Sequence, residues 1–90
     1  MKFVYVIESL TDQTRYTGIA IDPALRLIDH NSGKNRFTKG HLPWKIIYSE
    51  QHSGWVAARK KEKYFKSAAG KKWLKININP PGGDTGSPPA

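Results

Sequence analysis

The sequence predicts a small α+β domain: a three-stranded antiparallel sheet flanked by helices, in the order β-β-α-β-α-α. Two apolar, strand-like runs are joined by a loop too short for a parallel crossover. A cationic, Pro- and Gly-punctuated second half alternates a third strand with helical patterns. Both observations point to segregated strands and helices around one core.

The first strand is "KFVYVIES". Phe3, Tyr5 and Ile7 alternate with Val4 and Val6, so both faces are apolar and the strand is expected to be central. "RYTGIA" is the second strand. Thr11, Asp12 and Gln13 are the turn residues between them. "DPALRLIDHNSG" reads as a helix with Asp22 as N-cap and Pro23 at its first position. Leu25 and Ile28 are expected on its inner side, widened by Ala24 and Leu27. Arg26 and His30 are four apart and share a face. Gly33 or Asn31 is expected to end the helix. "KNRFTKGHLPW" is a basic loop of a length that suggests a task. "WKIIYSE" is the third strand. A helix then runs through "WVAARKKEKYFKSAAG", with Trp55, Ala58, Phe65 and Ala69 near one stripe and Gly70 ending it. "KKWLKININ" is a short final helix that docks Trp73 and Leu74.

Composition narrows the function. The chain has 90 residues and a net charge of +8, from 15 Lys and Arg against seven acids. That excess favours a polyanionic partner, most simply nucleic acid. There is no cysteine, which excludes disulfides, thiolate metal sites and cysteine catalysis. No apolar run approaches a membrane span, and no signal peptide is visible, so a cytoplasmic protein is expected. Residues 1–79 form the expected domain. Residues 80–90, "PPGGDTGSPPA", are expected to be a disordered tail.

No Gly-rich phosphate loop, zinc spacing or Ser-His-Asp arrangement is present. His41 and His52 read as surface residues. One constellation remains. Tyr5 and Tyr16 lie on paired strands, and Arg26 and His30 on the helix that follows. Glu62 is the one acid between Glu50 and Asp84, flanked by Arg59, Lys60, Lys61, Lys63 and Lys66. A lone carboxylate suits a hard cation such as Mg²⁺ or Mn²⁺, which needs only one or two carboxylates plus substrate phosphate. Around a phosphodiester, Arg26 would neutralise the non-bridging oxygens. A metal on Glu62 would stabilise the leaving 3′-oxygen. A tyrosine would position or deprotonate the attacking water. With an unperturbed pKa of about 10, it needs a cationic setting to act near neutral pH. Lys34, Arg36, Lys39 and Lys45 would follow the nucleic-acid backbone. No organic cofactor is implied.

These residues resemble the GIY-YIG nucleases. "VYV" at Val4 to Val6 matches the first half of the signature and "YTG" at Tyr16 to Gly18 the second. The ordered series of arginine, His-Asn-Ser-Gly, Thr-Lys, Pro-Trp and glutamate extends the match to about Leu74. It is most similar to the small bacterial members, and more distantly to the N-terminal nuclease domain of the UvrC repair protein. The resemblance implies a general-base role for Tyr5 and a supporting role for Tyr16. It implies phosphate contact by Arg26, metal binding by Glu62 and a place in the site for His30. Gly18 would let backbone and substrate approach closely. Asn77 and Asn79 are candidates for a late asparagine that some members carry. The implied activity is metal-dependent DNA endonuclease cleavage, structure-specific or on single strands and related to repair. A non-catalytic nucleic-acid-binding module is the competing reading.

Overall fold

The computed structural model describes residues 1–78; the expected tail and Asn79 lie outside them. The elements are β1 (Lys2–Ser9), β2 (Arg15–Ala20), α1 (Pro23–Asn31), a 3₁₀ turn (Thr38–His41), β3 (Trp44–His52), α2 (Trp55–Lys66) and α3 (Ala68–Asn77). They form one antiparallel sheet in the order β2-β1-β3. The α+β architecture and element order are those expected from the sequence.

β1 is central because both its faces are apolar. Val4 and Val6 pack with Ala58, Phe65 and Leu74 of α2 and α3. Tyr5 and Ile7 pack on the opposite face with Ala20 and Trp44, joined by Leu27 of α1. The sheet is therefore covered on both sides. Burying one large side chain such as Phe65 stabilises the fold by roughly 1.5–3 kcal/mol. Between Val6 and Ile7 the register with β3 slips by one residue: Val6 faces Tyr48, and Ile7 faces Ile46. This is a β-bulge. It leaves Ile46 on the Tyr5 side and both Ile47 and Tyr48 on the α2–α3 side.

The β1–β2 turn is built on Ser9. Its hydroxyl accepts from the amides of Thr11 and Asp12 and donates to the His41 carbonyl at 2.7 Å. Gln13 takes the left-handed conformation, with φ of 63°. His41 also pairs with Asp12 at 2.6 Å, tying the hairpin to the 3₁₀ turn. His52 bonds Glu50 at 2.6 Å. Both histidines are partly exposed, and each is engaged by a carboxylate.

α1 begins as expected. The Asp22 carboxylate accepts from the amides of Ala24 and Leu25. Its rotation differs from expectation: Leu25 and Ile28 are 60% and 63% exposed, while Leu27 and His30 face the sheet. Polar contacts set that rotation. The Asn31 side-chain amide accepts from Trp44 N at 2.6 Å and donates to Trp44 O at 3.0 Å, pairing with β3 as another strand would. His30 is anchored by the hydrogen bonds described below.

The second half also departs from expectation. Gly70 does not end a long helix. α2 stops at Lys66, Ser67 is extended, and its hydroxyl caps α3 by accepting from Gly70 N at 3.2 Å. Gly70 lies inside α3 because the two helices cross closely there. A Cβ at that position would collide with the Tyr64 carbonyl oxygen. Ala69 thus belongs to α3, exposed. Trp55 is also outside the core. It opens α2, and its ring is covered by the cations of Lys2 and Arg59, 5.5 and 5.8 Å from its centroid.

Candidate active site

β1 and β2 bring Tyr5 opposite Gly18 and Tyr16 opposite Ile7. The Tyr5 phenol lies across the space a side chain at Gly18 would fill; a Cβ there would meet its oxygen at 2.6 Å. The glycine therefore makes room for Tyr5 itself. No geometry in the fold separately assigns it to substrate approach.

The fully buried His30 receives the Tyr5 phenol from α1. Tyr5 Oη lies 3.0 Å from His30 Nε2, and His30 Nδ1 lies 2.9 Å from Thr38 Oγ1. Thr38 is buried and is held in turn by Trp44, whose indole N–H donates to its carbonyl at 2.8 Å. The Tyr16 ring meets the imidazole edge-on, with centroids 5.1 Å apart. Arg26 lies beside the Tyr5 phenol and pairs with Asp29 at 3.3 Å.

Burial pushes the Tyr5 phenol above its ordinary value, although Arg26 pulls the other way. Burial, then the Arg26 charge, pushes His30 down. Both shifts favour an uncharged pair. A neutral imidazole has one donor and one acceptor nitrogen. Two arrangements satisfy the chain. In one, Tyr5 O–H donates to Nε2 and Nδ1–H donates to Thr38. In the other, the Thr38 hydroxyl donates to Nδ1 and Nε2–H donates to Tyr5.

A stability prediction follows. Below pH about 6.5 the unfolded chain protonates His30 more readily than the native chain, so the native state loses stability as pH falls. Above pH about 10 the unfolded chain ionises Tyr5 more readily, so stability falls again as pH rises. Replacing His30 with Gln should flatten the acid limb in urea melts followed from pH 5 to 8. An unchanged slope would contradict the assignment.

Glu62 projects from α2 with its side chain 18% exposed. It accepts from Lys66 at 2.9 Å and lies 3.8 Å from Arg59. Its charge acts on the Tyr5 phenol, so the two belong to one electrostatic neighbourhood. Among the described residues no three His, Cys, Asp or Glu side chains converge. A single carboxylate fits a hard cation that keeps most of its waters. The donor set suits Mg²⁺ or Mn²⁺ and is wrong for zinc.

The fold thus gathers Tyr5, Tyr16, Arg26 and His30, with Glu62 in electrostatic reach. The other expected contacts are dispersed. Lys34, Arg36 and Lys39 are exposed on the α1–β3 connection, and Lys45 is exposed on β3. Asn77 ends α3, where its amide donates to the Trp73 carbonyl. The contacts of three residues escaped the sequence reading: Thr38 with His30, Asn31 with Trp44, and Phe37 with Tyr16. The length of the basic loop was the available signal for Thr38 and Phe37; nothing local marked the Asn31–Trp44 pairing. No helix among the described residues is long and apolar enough to cross a membrane.

The GIY-YIG catalytic-domain profile matches residues 1–77. A UPF0213 protein of Streptococcus agalactiae is 40% identical over 65 residues, 71% of this chain and 73% of its own length. One from Staphylococcus epidermidis is 35% identical over 75 residues, 82% of this chain and 90% of its own. The solution NMR structure of a UPF0213 protein from Bacillus halodurans covers 89% of each chain at 28% identity, with a TM-score of 0.53. The match spans both tyrosine motifs, the arginine helix and the glutamate helix: the chain belongs to the GIY-YIG nuclease superfamily.

Proposed function

We propose that the chain is a divalent-metal-dependent endonuclease that hydrolyses phosphodiester bonds, with DNA as its substrate. The observation that carries this reading is the Tyr5–His30 hydrogen bond beside Arg26. A raised phenol is a weak base by itself. Hydrogen-bonded to a neutral imidazole, it need not ionise fully. Tyr5 takes a proton from the attacking water as its own passes to His30 Nε2, and Thr38 steadies the imidazole through Nδ1. Tyr16 confines the imidazole from one side. Arg26, 42% exposed in its side chain, meets the charge that builds on the non-bridging oxygens. A divalent cation held by Glu62 would supply positive charge for the leaving oxygen.

Lys34, Arg36, Lys39 and Lys45 support the polyanionic substrate through their exposed charge. The test uses labelled single strands, duplexes, flaps and forks, with RNA counterparts, incubated with Mg²⁺ or Mn²⁺. Cleavage that leaves 5′-phosphate ends and stops on chelation is the expected result. Salt-dependent binding without turnover under either metal would replace this reading with a binding module.

A further inference from the structure

We propose that the groove between the β2 edge and α3 is a nucleobase subsite, which takes one unpaired nucleotide beside the scissile phosphodiester. This rests on the nuclease reading and names part of its substrate. The groove encloses about 680 Å³. That falls within the range of about 300–1,000 Å³ typical of small-molecule sites. Phe65 and Leu74 form its apolar floor, and Tyr16, Phe37, Lys71 and Lys75 line its sides.

Phe37 is the first argument. It is 53% exposed, an unusual place for a phenylalanine in a basic loop. Its ring lies 5.8 Å from Tyr16 and 5.5 Å from His41. The Asn35 side chain accepts from the Phe37 and Thr38 amides, which fixes the backbone beneath the ring. A pre-placed, half-open aromatic face is what an unpaired base stacks on.

Charge is the second. Lys71 and Lys75 are four apart on α3, exposed, and share a face. Lys66 also lines the groove, and among the described residues no carboxylate does. That rim complements the phosphates on either side of a stacked base.

The third argument is continuity with the site. Tyr16 lines the groove and also touches the His30 imidazole. Lys66 lines the groove and donates to Glu62 at 2.9 Å. A nucleotide seated there places its phosphodiester at the catalytic cluster. A paired base has neither a free face for Phe37 nor room to enter, so it must first leave its stack.

The probe is a short single-stranded oligonucleotide carrying one fluorescent adenine analogue, beside its fully paired form. The full chain carries Glu62→Gln so that the probe survives. The analogue should be quenched in the single strand only. Phe37→Ala should remove the quenching and weaken binding roughly 5- to 150-fold, while Phe37→Trp should retain both. Lys71→Gln with Lys75→Gln should reduce the salt slope of log affinity by about 1.4. Unaltered quenching and affinity in Phe37→Ala, or equal quenching in the duplex, would overturn the subsite. Parallel assays of the chain with Glu62 intact separate the two readings. Phe37-dependent quenching without cleavage keeps the subsite and removes the nuclease. Cleavage of single strands indifferent to Phe37→Ala keeps the nuclease and removes the subsite.

Discussion

Replacing Glu62 with glutamine should lower phosphodiester cleavage by about 100- to 1,000-fold, the scale of losing one electrostatic stabiliser of a transition state. The substitution keeps the size of the side chain and removes the charge that would hold a cation. Its structural cost is small. The partners of Glu62 are Lys66 and Arg59 on the same partly exposed helix. Such pairs contribute roughly 0.3–0.5 kcal/mol. Binding of uncleaved DNA should persist or tighten, because a carboxylate that repels phosphate has gone. Single-turnover rates, thermal melts and binding isotherms on the same preparation distinguish these effects. Wild-type rates in the Gln variant would remove Glu62 from the chemistry.

Gly70→Ala should be the most damaging glycine substitution for folding. The added Cβ collides with the backbone of Tyr64 and Phe65, so no side chain can rotate away. Either α3 shifts from α2, or the α2 end distorts. Overpacking of this kind costs roughly 1–3 kcal/mol. For a domain of this size that lowers Tm by roughly 4–24 °C. Gly40→Ala is the control, since no atom of the described residues lies within 4 Å of a Cβ there. Comparable Tm values for the two variants would show that the helix crossing is not tight. Because Phe65 and Leu74 lie on either side of the crossing, a shifted α3 also deforms the groove floor.

Much of the framework was legible because its signals are local. The doubly apolar β1, the Asp22–Pro23 helix start and the hairpin residues each declare themselves within a few positions. The tyrosines, Arg26 and Glu62 were legible through their order along the chain. What escaped reading depends on partners far away in sequence. Leu25 and Ile28 form a plausible apolar stripe, yet Asn31 and His30 turn α1 by bonding to Trp44 and Tyr5. The break at Ser67 sits in Ser-Ala-Ala, with no Pro and no Gly before position 70. Gly70 looks like a stop and is instead a contact point. Trp55 has the hydrophobicity of a core residue, but Lys2 and Arg59 offer its ring a cationic cover. His30 was placed in the site by its position, but its burial and its hydrogen bonds to Tyr5 and Thr38, which favour the neutral imidazole, were not legible.

The bulge at Ile47 makes β3 a strand with two allegiances. Upstream, Trp44 and Ile46 serve the layer that holds the tyrosines. Downstream, Tyr48 serves the helical layer, and Lys61 of α2 comes within 3.7 Å of Glu50. The extra residue works as a phase shifter: it reverses the in-and-out alternation once, midway along the strand. Pairing β3 without the bulge, with Ile47 opposite Val6, would spare every residue before it and transpose every one after, turning Tyr48 toward the tyrosine layer and uncovering Phe65. An insertion after Tyr48 should therefore be resisted, because it would transpose the end of β3, whereas deletion of Ile47 would leave Tyr48 opposite Val6.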